Sequence, residues 1–215
     1  MKQFIVIGLG RFGSSVATTL AEKGHDVLAI DLEEEPVQEI SNIVTHAVQA
    51  DATDEDALKT LGVNNFDVAV VSIGDNVHSN VLAALILKEL GVEYVVVKAQ
   101  DNLHGKVLSK IGADKIVYPE RDMGTRVAHN LVTSNVLDYI ELAPDYSIIE
   151  ILATNNLVGK TLQELELRSK FGVNVIAIKK GKEINVTPEA DDKVESRDIL
   201  VVMGEEERLD KLREY

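Results

Sequence analysis

The chain has 215 residues, enough for one large domain or for a medium-sized domain with a small companion. Its 36 acidic and 22 basic residues give a net charge of −14, which argues against a nucleic-acid partner because binding to phosphate backbones needs clustered Lys and Arg. Cysteine is absent, which excludes disulfides, thiolate metal sites and cysteine nucleophiles.

The stretch that most resembles a membrane span, residues 81–99, is not expected to cross a bilayer. Lys88, Glu89 and Glu93 interrupt it, and each charge would cost roughly 2.5–3.5 kcal/mol at the bilayer centre. The first apolar run, Phe4 to Ile7, is too short for the hydrophobic region of a signal peptide. We therefore expect a soluble protein that can still act beside a membrane.

Short apolar runs alternate with helical patterns through the first part of the chain. The runs are rich in Val, Ile and Ala, as in strands buried on both faces. They predict six strands, at 4–8, 27–31, 45–51, 67–74, 94–99 and 115–120. Glycines just past four of the intervening helical patterns are typical of helix ends: Gly24, Gly62, Gly91 and Gly112. The alternation predicts an α/β, Rossmann-like doubly wound parallel sheet of order 3-2-1-4-5-6, with a ligand crevice between strands one and four.

The pattern changes after about residue 140. It predicts, in order, a strand at 146–153, a short helix at 161–171, a hairpin at 173–186 turning at Gly181, a strand at 198–204 and a terminal helix. We therefore expect a nucleotide-binding domain of residues 1–140, whose last helix begins near Arg121, and a small α+β C-terminal domain of residues 141–215. A domain that small buries a modest core alone, which favours pairing with a second copy.

The stretch "FIVIGLGRFGSSVA" has the glycine spacing of a dinucleotide-binding turn. Gly8 permits the tight turn, Gly10 lets the backbone approach a pyrophosphate, and Gly13 lets the helix pack closely on the strand. The helix N-terminus adds free N–H groups and a positive dipole end. Asp31 ends the second strand, where a carboxylate accepts hydrogen bonds from ribose hydroxyls and disfavours a 2′-phosphate. The motif predicts nucleotide binding, and the alternative is a structural turn with a solvated Asp31.

Polar residues end the other predicted strands: Asp51, Ser72 with Gly74, Lys98 and Glu120. Their clustering at one edge of an apolar sheet indicates a site, although each alone is also typical of a chain that meets water. Asp51 and Ala52 could line an adenine slot. The competing interpretation of that segment is helix capping, with Thr53 as the N-cap.

Arg11, directly after the second glycine, favours a sensor over a redox enzyme. In the first helical turn an arginine can meet a terminal phosphate, whereas the alternative is a solvated surface residue. The histidines show no metal-ligand spacing. Only Lys98 and His104 are candidates for proton transfer near the crevice. An NAD-dependent oxidoreductase therefore stays as the alternative function, with a structural scaffold carrying a permanently bound nucleotide as a third.

The segments "IGLGRFG", "LAID", "ADAT", "VSIG", "VKA" and "IGADKIVYPERDMG", in this order, resemble the regulatory RCK subunits of bacterial Trk/Ktr potassium uptake systems. The resemblance extends over essentially the whole chain and is strongest to Ktr-type gating subunits. It implies a non-enzymatic cytoplasmic subunit that binds ATP or ADP, with NAD(H) as a further candidate. It also implies a homodimer formed through the helix after strand six, assembly into an octameric ring, and docking on a membrane-embedded potassium channel subunit.

The same resemblance implies roles for individual residues. The phosphates would lie against Gly8, Gly10 and Gly13, the ribose against Asp31, and the adenine against Asp51 and Ala52, with Phe12 as a further nucleotide-binding residue. Arg11 would reach a terminal phosphate, often that of a neighbouring subunit, and Ile73, Gly74 and Lys98 would complete the site. Glu120 would help to hold a cation, Mg²⁺, Ca²⁺ or Na⁺, between paired subunits. Without the resemblance, Glu120 is simply an acidic residue in the first turn of a helix.

A second ligand, cyclic di-AMP, is also implied by the resemblance, in a cleft between paired C-terminal domains. Arg168 and Asn174 would contact it, Val175 and Ile176 would line the cleft, and Pro188 would lie nearby. The alternative makes Arg168 a surface helix residue and the two apolar residues part of a dimer core.

Overall fold

The structure, a computed structural model, describes residues 2–132, 136–143 and 145–215. The chain divides into two compact units, Met1–Glu120 and Arg121–Tyr215. Buried apolar clusters lie within each of them, so each has a core of its own.

The first unit alternates strands and helices. Its elements are β1 (Gln3–Ile7), α1 (Arg11–Glu22), β2 (Asp26–Asp31), α2 (Glu34–Ile40), β3 (His46–Gln49), α3 (Glu55–Thr60), a 3₁₀ turn (Val63–Asn65), β4 (Val68–Val71), α4 (Val77–Glu89), β5 (Tyr94–Lys98), α5 (Asn102–Lys110) and β6 (Lys115–Val117). Helix α6 (Pro119–Val132) begins at the end of this unit and continues into the next.

The six strands form one sheet in the order β3-β2-β1-β4-β5-β6, and every neighbouring pair is parallel. The predicted fold class and strand order are confirmed. Strand β1 sends Ile5 and Ile7 into the core that contains residues of α3, α4 and α5. Its Val6 enters the core that contains residues of α1 and α2. The central strands are apolar on both faces because helices cover both faces of the sheet.

The second unit is built on an antiparallel sheet. Its elements after α6 are β7 (Val136–Ala143), β8 (Tyr146–Leu152), α7 (Leu162–Leu165), α8 (Leu167–Phe171), β9 (Asn174–Lys180), β10 (Glu183–Asn185), β11 (Ile199–Glu205) and α9 (Glu206–Arg213). The strand order is β10-β9-β11-β8-β7. Side chains from the sheet and from α7, α8 and α9 form the core of this unit, so the α+β character predicted for the C-terminal part is confirmed.

Two features of the second unit differ from the sequence expectation. Strand β7 was not predicted, and it pairs with β8. The single helix expected at 161–171 is two short helices, because Glu166 between them adopts a left-handed conformation with φ of 50°. Across the described residues, no helix is both long and apolar enough to span a bilayer.

Candidate functional site

The sheet register brings the predicted site residues to one edge. Ile7 pairs with Ile30 and with Val71, and Val71 pairs with Val97. The residues that follow these four are therefore level with one another: Gly8, Asp31, Ser72 and Lys98. The carboxyl edge of a parallel sheet is where ligands bind in open α/β folds, and the predicted site residues lie together at this edge.

The turn between β1 and α1 needs glycine at two positions. Gly8 has a φ of +88°, a left-handed conformation that favours glycine. A Cβ on Gly13 would lie 1.8 Å from the Gly8 carbonyl oxygen and 2.4 Å from Ser72 Oγ. The buried Ser72 hydroxyl donates a 2.5 Å hydrogen bond to that same carbonyl. Helix α1 thus packs directly on the turn, as the spacing predicts.

The start of α1 is open to a ligand. Gly10 is the exposed N-cap of the helix, and it provides no side-chain hydrogen bond to the free N–H groups of the first turn. A Cβ placed on Gly10 would meet nothing within 4 Å. Arg11 is the exposed first residue of the helix, and the half-buried Phe12 follows it. Free backbone donors, an open approach and an adjacent guanidinium suit an anionic group such as a phosphate.

Asp31 is held in position by backbone amides. The Leu9 amide donates a 2.5 Å hydrogen bond to Asp31 Oδ2, and the Glu33 amide donates a 2.9 Å hydrogen bond to Oδ1. These two bonds fix the carboxylate beside the glycine turn. Each carboxylate oxygen can accept a further hydrogen bond, so the arrangement is compatible with two ribose hydroxyls.

The segment after β3 differs in one detail from the sequence expectation. The predicted cap, Thr53, donates its hydroxyl and its amide to Asp51 Oδ1, and these bonds lower the pKa of Asp51. The N-cap of α3 is instead Asp54, whose carboxylate accepts hydrogen bonds from the amides of Asp56 and Ala57. Ala52 is buried. Asp51 therefore stays an exposed carboxylate beside the edge where adenine is expected.

Three charged residues meet at the other end of the site. Lys98 Nζ donates a 2.5 Å hydrogen bond to Glu120 Oε1 across the ends of β5 and β6. This bond lowers the pKa of Glu120, and the positive charge of Arg11 acts in the same direction. Arg11, Lys98 and Glu120 therefore form one electrostatic group next to the open helix terminus.

The cation expected at Glu120 does not fit the residues of one chain by themselves. The carboxylate is paired with Lys98, although its side chain is 69% exposed. Within residues 2–132, 136–143 and 145–215, no three His, Asp or Glu side chains lie together in a way that could hold a metal ion. Hard cations need about six oxygen ligands, so one carboxylate would need ligand phosphates or a second chain to complete a site.

The loops after β4 and β5 are joined by hydrogen bonds that the sequence did not predict. The fully buried Asn80 donates through Nδ2 to the carbonyls of Ile73, at 2.9 Å, and Lys98, at 3.3 Å. Gln100 donates through its side-chain amide to the Gly74 carbonyl. The candidate residues Ile73, Gly74 and Lys98 are therefore held together through their backbones. The available signal was an asparagine next to the apolar run of the segment "VHSNVLAALILKEL".

His104, one of two candidates for proton transfer, is buried, and both of its ring nitrogens have hydrogen-bond partners. The backbone amide of Gln100 donates a 3.3 Å hydrogen bond to Nδ1 of His104. The ring proton is therefore on Nε2, which donates to Asn80 Oδ1 at 3.1 Å. Burial lowers the pKa of His104, which keeps the ring neutral near neutral pH. The other candidate, Lys98, is hydrogen-bonded to Glu120. Neither side chain is placed as a free acid or base.

The candidate residues for a second ligand lie in the second unit. Arg168 is exposed on α8, and Asn174, Val175 and Ile176 begin β9. Ile176 is the extra residue of a bulge, because Val201 pairs with Ala177 while Val202 pairs with Val175. These four residues are close along the chain. Pro188 lies in the loop after β10.

Comparisons with known proteins agree with this architecture. Residues 4–119 match the family model of the TrkA-N domain, and residues 146–215 match that of the TrkA-C domain. The chain is 53% identical to Ktr system potassium uptake protein C of Bacillus subtilis, over 94% of this chain and 92% of that protein. It is 47% identical to Ktr system potassium uptake protein A of the same organism, over 94% and 91% of the two chains.

A solved structure has the same fold. The GsuK channel matches with a TM-score of 0.72 at 19% identity, over 98% of this chain and 38% of the channel chain. The two units described above therefore occur together, in this order, in a longer channel protein.

Proposed function

Since the chain belongs to the Ktr/Trk family of potassium uptake proteins, with a TrkA-N and a TrkA-C domain, we propose that it is a non-enzymatic gating subunit. It binds ATP or ADP at the carboxyl edge of the parallel sheet and thereby controls potassium flux through a membrane-embedded Ktr/Trk channel subunit. It acts in the cytoplasm, at the inner face of the membrane, through that partner.

One observation carries the nucleotide part of the proposal. The open N-terminus of α1 lies at the carboxyl edge of the sheet, with the anchored Asp31 on one side and the group of Arg11, Lys98 and Glu120 on the other. A nucleotide laid across this edge would place its ribose at Asp31 and its phosphates at the helix terminus. Its adenine would lie towards Asp51 and Ala52.

The same geometry supports the proposed discrimination between ATP and ADP. Arg11 and Lys98 are cations that a terminal phosphate can approach, and Glu120 is the carboxylate that interacts with both of them. A γ-phosphate competes with Glu120 for these cations, whereas ADP lacks that group. A ligand that interacts differently with two conformations shifts the balance between them, which is sufficient for gating.

The oxidoreductase alternative has less support. A hydride-transfer enzyme needs a proton carrier at the crevice, and the two candidates are already engaged, Lys98 by Glu120 and His104 by Asn80. NAD(H) remains a candidate ligand for the glycine turn, since Asp31 suits any ribose with free hydroxyls.

Assembly and the second ligand complete the proposal. The subunit forms homodimers through α6, and the dimers form an octameric ring. A cation shared by Glu120 and phosphate oxygens fits this proposal only in the presence of nucleotide. In the C-terminal unit, Arg168 and Asn174 would bind cyclic di-AMP between paired subunits, with Val175, Ile176 and Pro188 beside it.

The test is a titration of the full chain and of Arg11→Ala with ATP, ADP and NADH by isothermal calorimetry. We expect the wild type to bind ATP more tightly than ADP, and Arg11→Ala to lose about tenfold in ATP affinity while ADP affinity changes little. Arg11→Lys keeps the charge without the bidentate geometry, so its ATP affinity is expected to lie between those of the wild type and Arg11→Ala. An unchanged preference for ATP in Arg11→Ala would remove Arg11 from the mechanism, and binding of NADH alone would revive the redox alternative.

A further inference from the structure

We propose that Asn80 and His104 are positioning residues of the nucleotide site. Hydrogen-bonded to each other beneath the sheet edge, they hold the β4–α4 and β5–α5 loops at the separation that the bound ligand requires. The inference rests on the proposed nucleotide function, and it adds two residues that act on the site without contacting the ligand.

Asn80 joins the ends of two neighbouring strands. The last paired residues of β4 and β5 are Val71 and Val97. Directly beyond them, the Asn80 amide donates one hydrogen bond to the carbonyl of Ile73 and one to that of Lys98. The side chain therefore continues the connection between the strands past the point where the β-ladder ends. Both carbonyls belong to residues expected to contact the nucleotide.

His104 orients this amide. Its Nδ1 accepts a hydrogen bond from the backbone amide of Gln100, so only Nε2 can donate. Nε2 donates to Asn80 Oδ1. With its oxygen held in this way, Asn80 must present its NH₂ group to the two carbonyls. Asp101 accepts a 2.8 Å hydrogen bond from the His104 backbone amide and so fixes the first turn of α5. Each polar atom of the Asn80 side chain thus has a partner.

Because Asn80 is buried, any effect it has on nucleotide binding is indirect. The residue is fully buried, so it cannot touch a nucleotide. The remainder of the buried face of α4 is apolar: Ala83, Ala84, Ile86 and Leu87. A buried amide is unfavourable without hydrogen bonds, and a leucine would suit simple packing. The hydrogen bonds to the two loops account for an asparagine at this position.

The same loops connect the phosphate end to the start of α6. Gln100 donates to the Gly74 carbonyl, and Lys98 donates to Glu120 in the first turn of α6. Gly105, next to His104, is covered by the Tyr118 hydroxyl, since a Cβ there would lie 1.8 Å from that oxygen. The first turn of α5 therefore positions the two loops through His104. Through Gly105 it also packs against Tyr118, in the segment that leads to Glu120.

Three substitutions at His104 test the inference in the full chain. His104→Gln keeps a donor at the position of Nε2, and His104→Asn keeps an acceptor near Nδ1 but is too short to reach Asn80. His104→Leu keeps neither group. ATP and ADP affinities are measured by calorimetry, and unfolding of the ligand-free protein is measured by thermal denaturation. His78→Leu serves as control, because His78 is exposed on α4.

We expect His104→Leu and His104→Asn to weaken ATP binding about tenfold, because Asn80 loses the partner that orients it. His104→Gln is expected to bind close to wild-type affinity, and His78→Leu to bind as the wild type does. If His104→Leu does not fold, the comparison of the Asn and Gln variants decides the question. If His104 had a purely structural role, the Asn and Gln variants would both melt at a lower temperature but would bind ATP with equal affinity.

The possible failures can be told apart. If the wild type binds neither ATP nor ADP, the proposed function is wrong, and this inference falls with it. If the wild type binds and the Asn variant binds equally well, only the positioning role is overturned. Equal loss in the Gln and Asn variants also overturns it, because the donor to Asn80 would then be irrelevant.

Discussion

Gly10 and Gly13 belong to one turn but tolerate a side chain very differently. At Gly13 a Cβ would overlap the Gly8 carbonyl oxygen and the Ser72 hydroxyl, whereas at Gly10 it would meet nothing within 4 Å. The backbone of Gly10, with φ of −65° and ψ of −176°, is also accessible to any residue. Packing within the chain therefore requires a glycine at position 13 but not at position 10.

This contrast predicts opposite phenotypes. Gly13→Ala is expected to destabilise the chain by about 3 kcal/mol, because helix α1 must move away from the turn. Gly10→Ala is expected to unfold as the wild type does but to lose nucleotide affinity, since the methyl group would occupy the approach to the phosphates. Urea denaturation and calorimetric titration measure the two effects. Wild-type nucleotide affinity in Gly10→Ala would contradict the placement of phosphate at this helix terminus.

At the residue scale, the sequence predicted the positions of the site residues better than the hydrogen-bond partners of their side chains. The glycine spacing and the apolar strands predict where Gly8, Asp31 and Lys98 lie, because strand ends in a parallel sheet share one edge. The partner of each side chain depends on contacts between distant segments. Local spacing therefore could not reveal that Asn80 bonds two loops or that His104 is a buried, neutral partner of Asn80.

At the scale of elements, local signals predicted helix ends that depend on backbone conformation. The four glycines expected after helices all have positive φ: Gly24, Gly62, Gly91 and Gly112. Side-chain capping was less predictable, because Thr53 and Asp54 are both good N-cap residues and only the path of the chain selects between them. The break at Glu166 was missed for a related reason. A left-handed glutamate within "LQELELRSKF" has no signal in sequence.

The start of α3 provides a measurable case. Asp54→Ala is expected to destabilise the first unit by about 1 kcal/mol, because the amides of Asp56 and Ala57 lose their acceptor. Thr53→Ala removes only an exposed bond to Asp51 and is expected to cost less than about 0.5 kcal/mol. Chemical denaturation of both variants gives the comparison. The reverse order of effects would mean that Thr53 caps the helix in solution.

At the scale of the whole molecule, one apolar surface of the second unit is only partly buried in a single chain. One face of its sheet contributes Ile149, Leu200 and Val202 to the core. On adjacent positions of the same strands, Ile148, Val201 and Met203 are only partly buried. A unit of this size gains stability by covering such a face with another chain, which supports self-association.

Helix α6 carries an apolar surface that is more exposed. Met123, Val127 and Leu131 recur every four residues, so they form one stripe, and they are 54%, 47% and 80% exposed. The intervening residues 124–126 and 128 are exposed as well. A helix that exposes its apolar stripe to water is an expected site of contact with another copy, in agreement with the dimer proposed through this helix.

Charges placed on this stripe should therefore separate the subunits without unfolding them. The double variant Val127→Glu, Leu131→Glu would have to bury two carboxylates in the interface, so we expect the mass measured by light scattering to fall to that of a smaller assembly. Thr125→Glu places one carboxylate on the opposite side of α6 and is expected to leave the mass unchanged. Far-ultraviolet circular dichroism checks that all three chains keep their secondary structure. A double variant with the wild-type mass would locate the principal interface elsewhere, with the partly buried face of the C-terminal sheet as the next surface to charge.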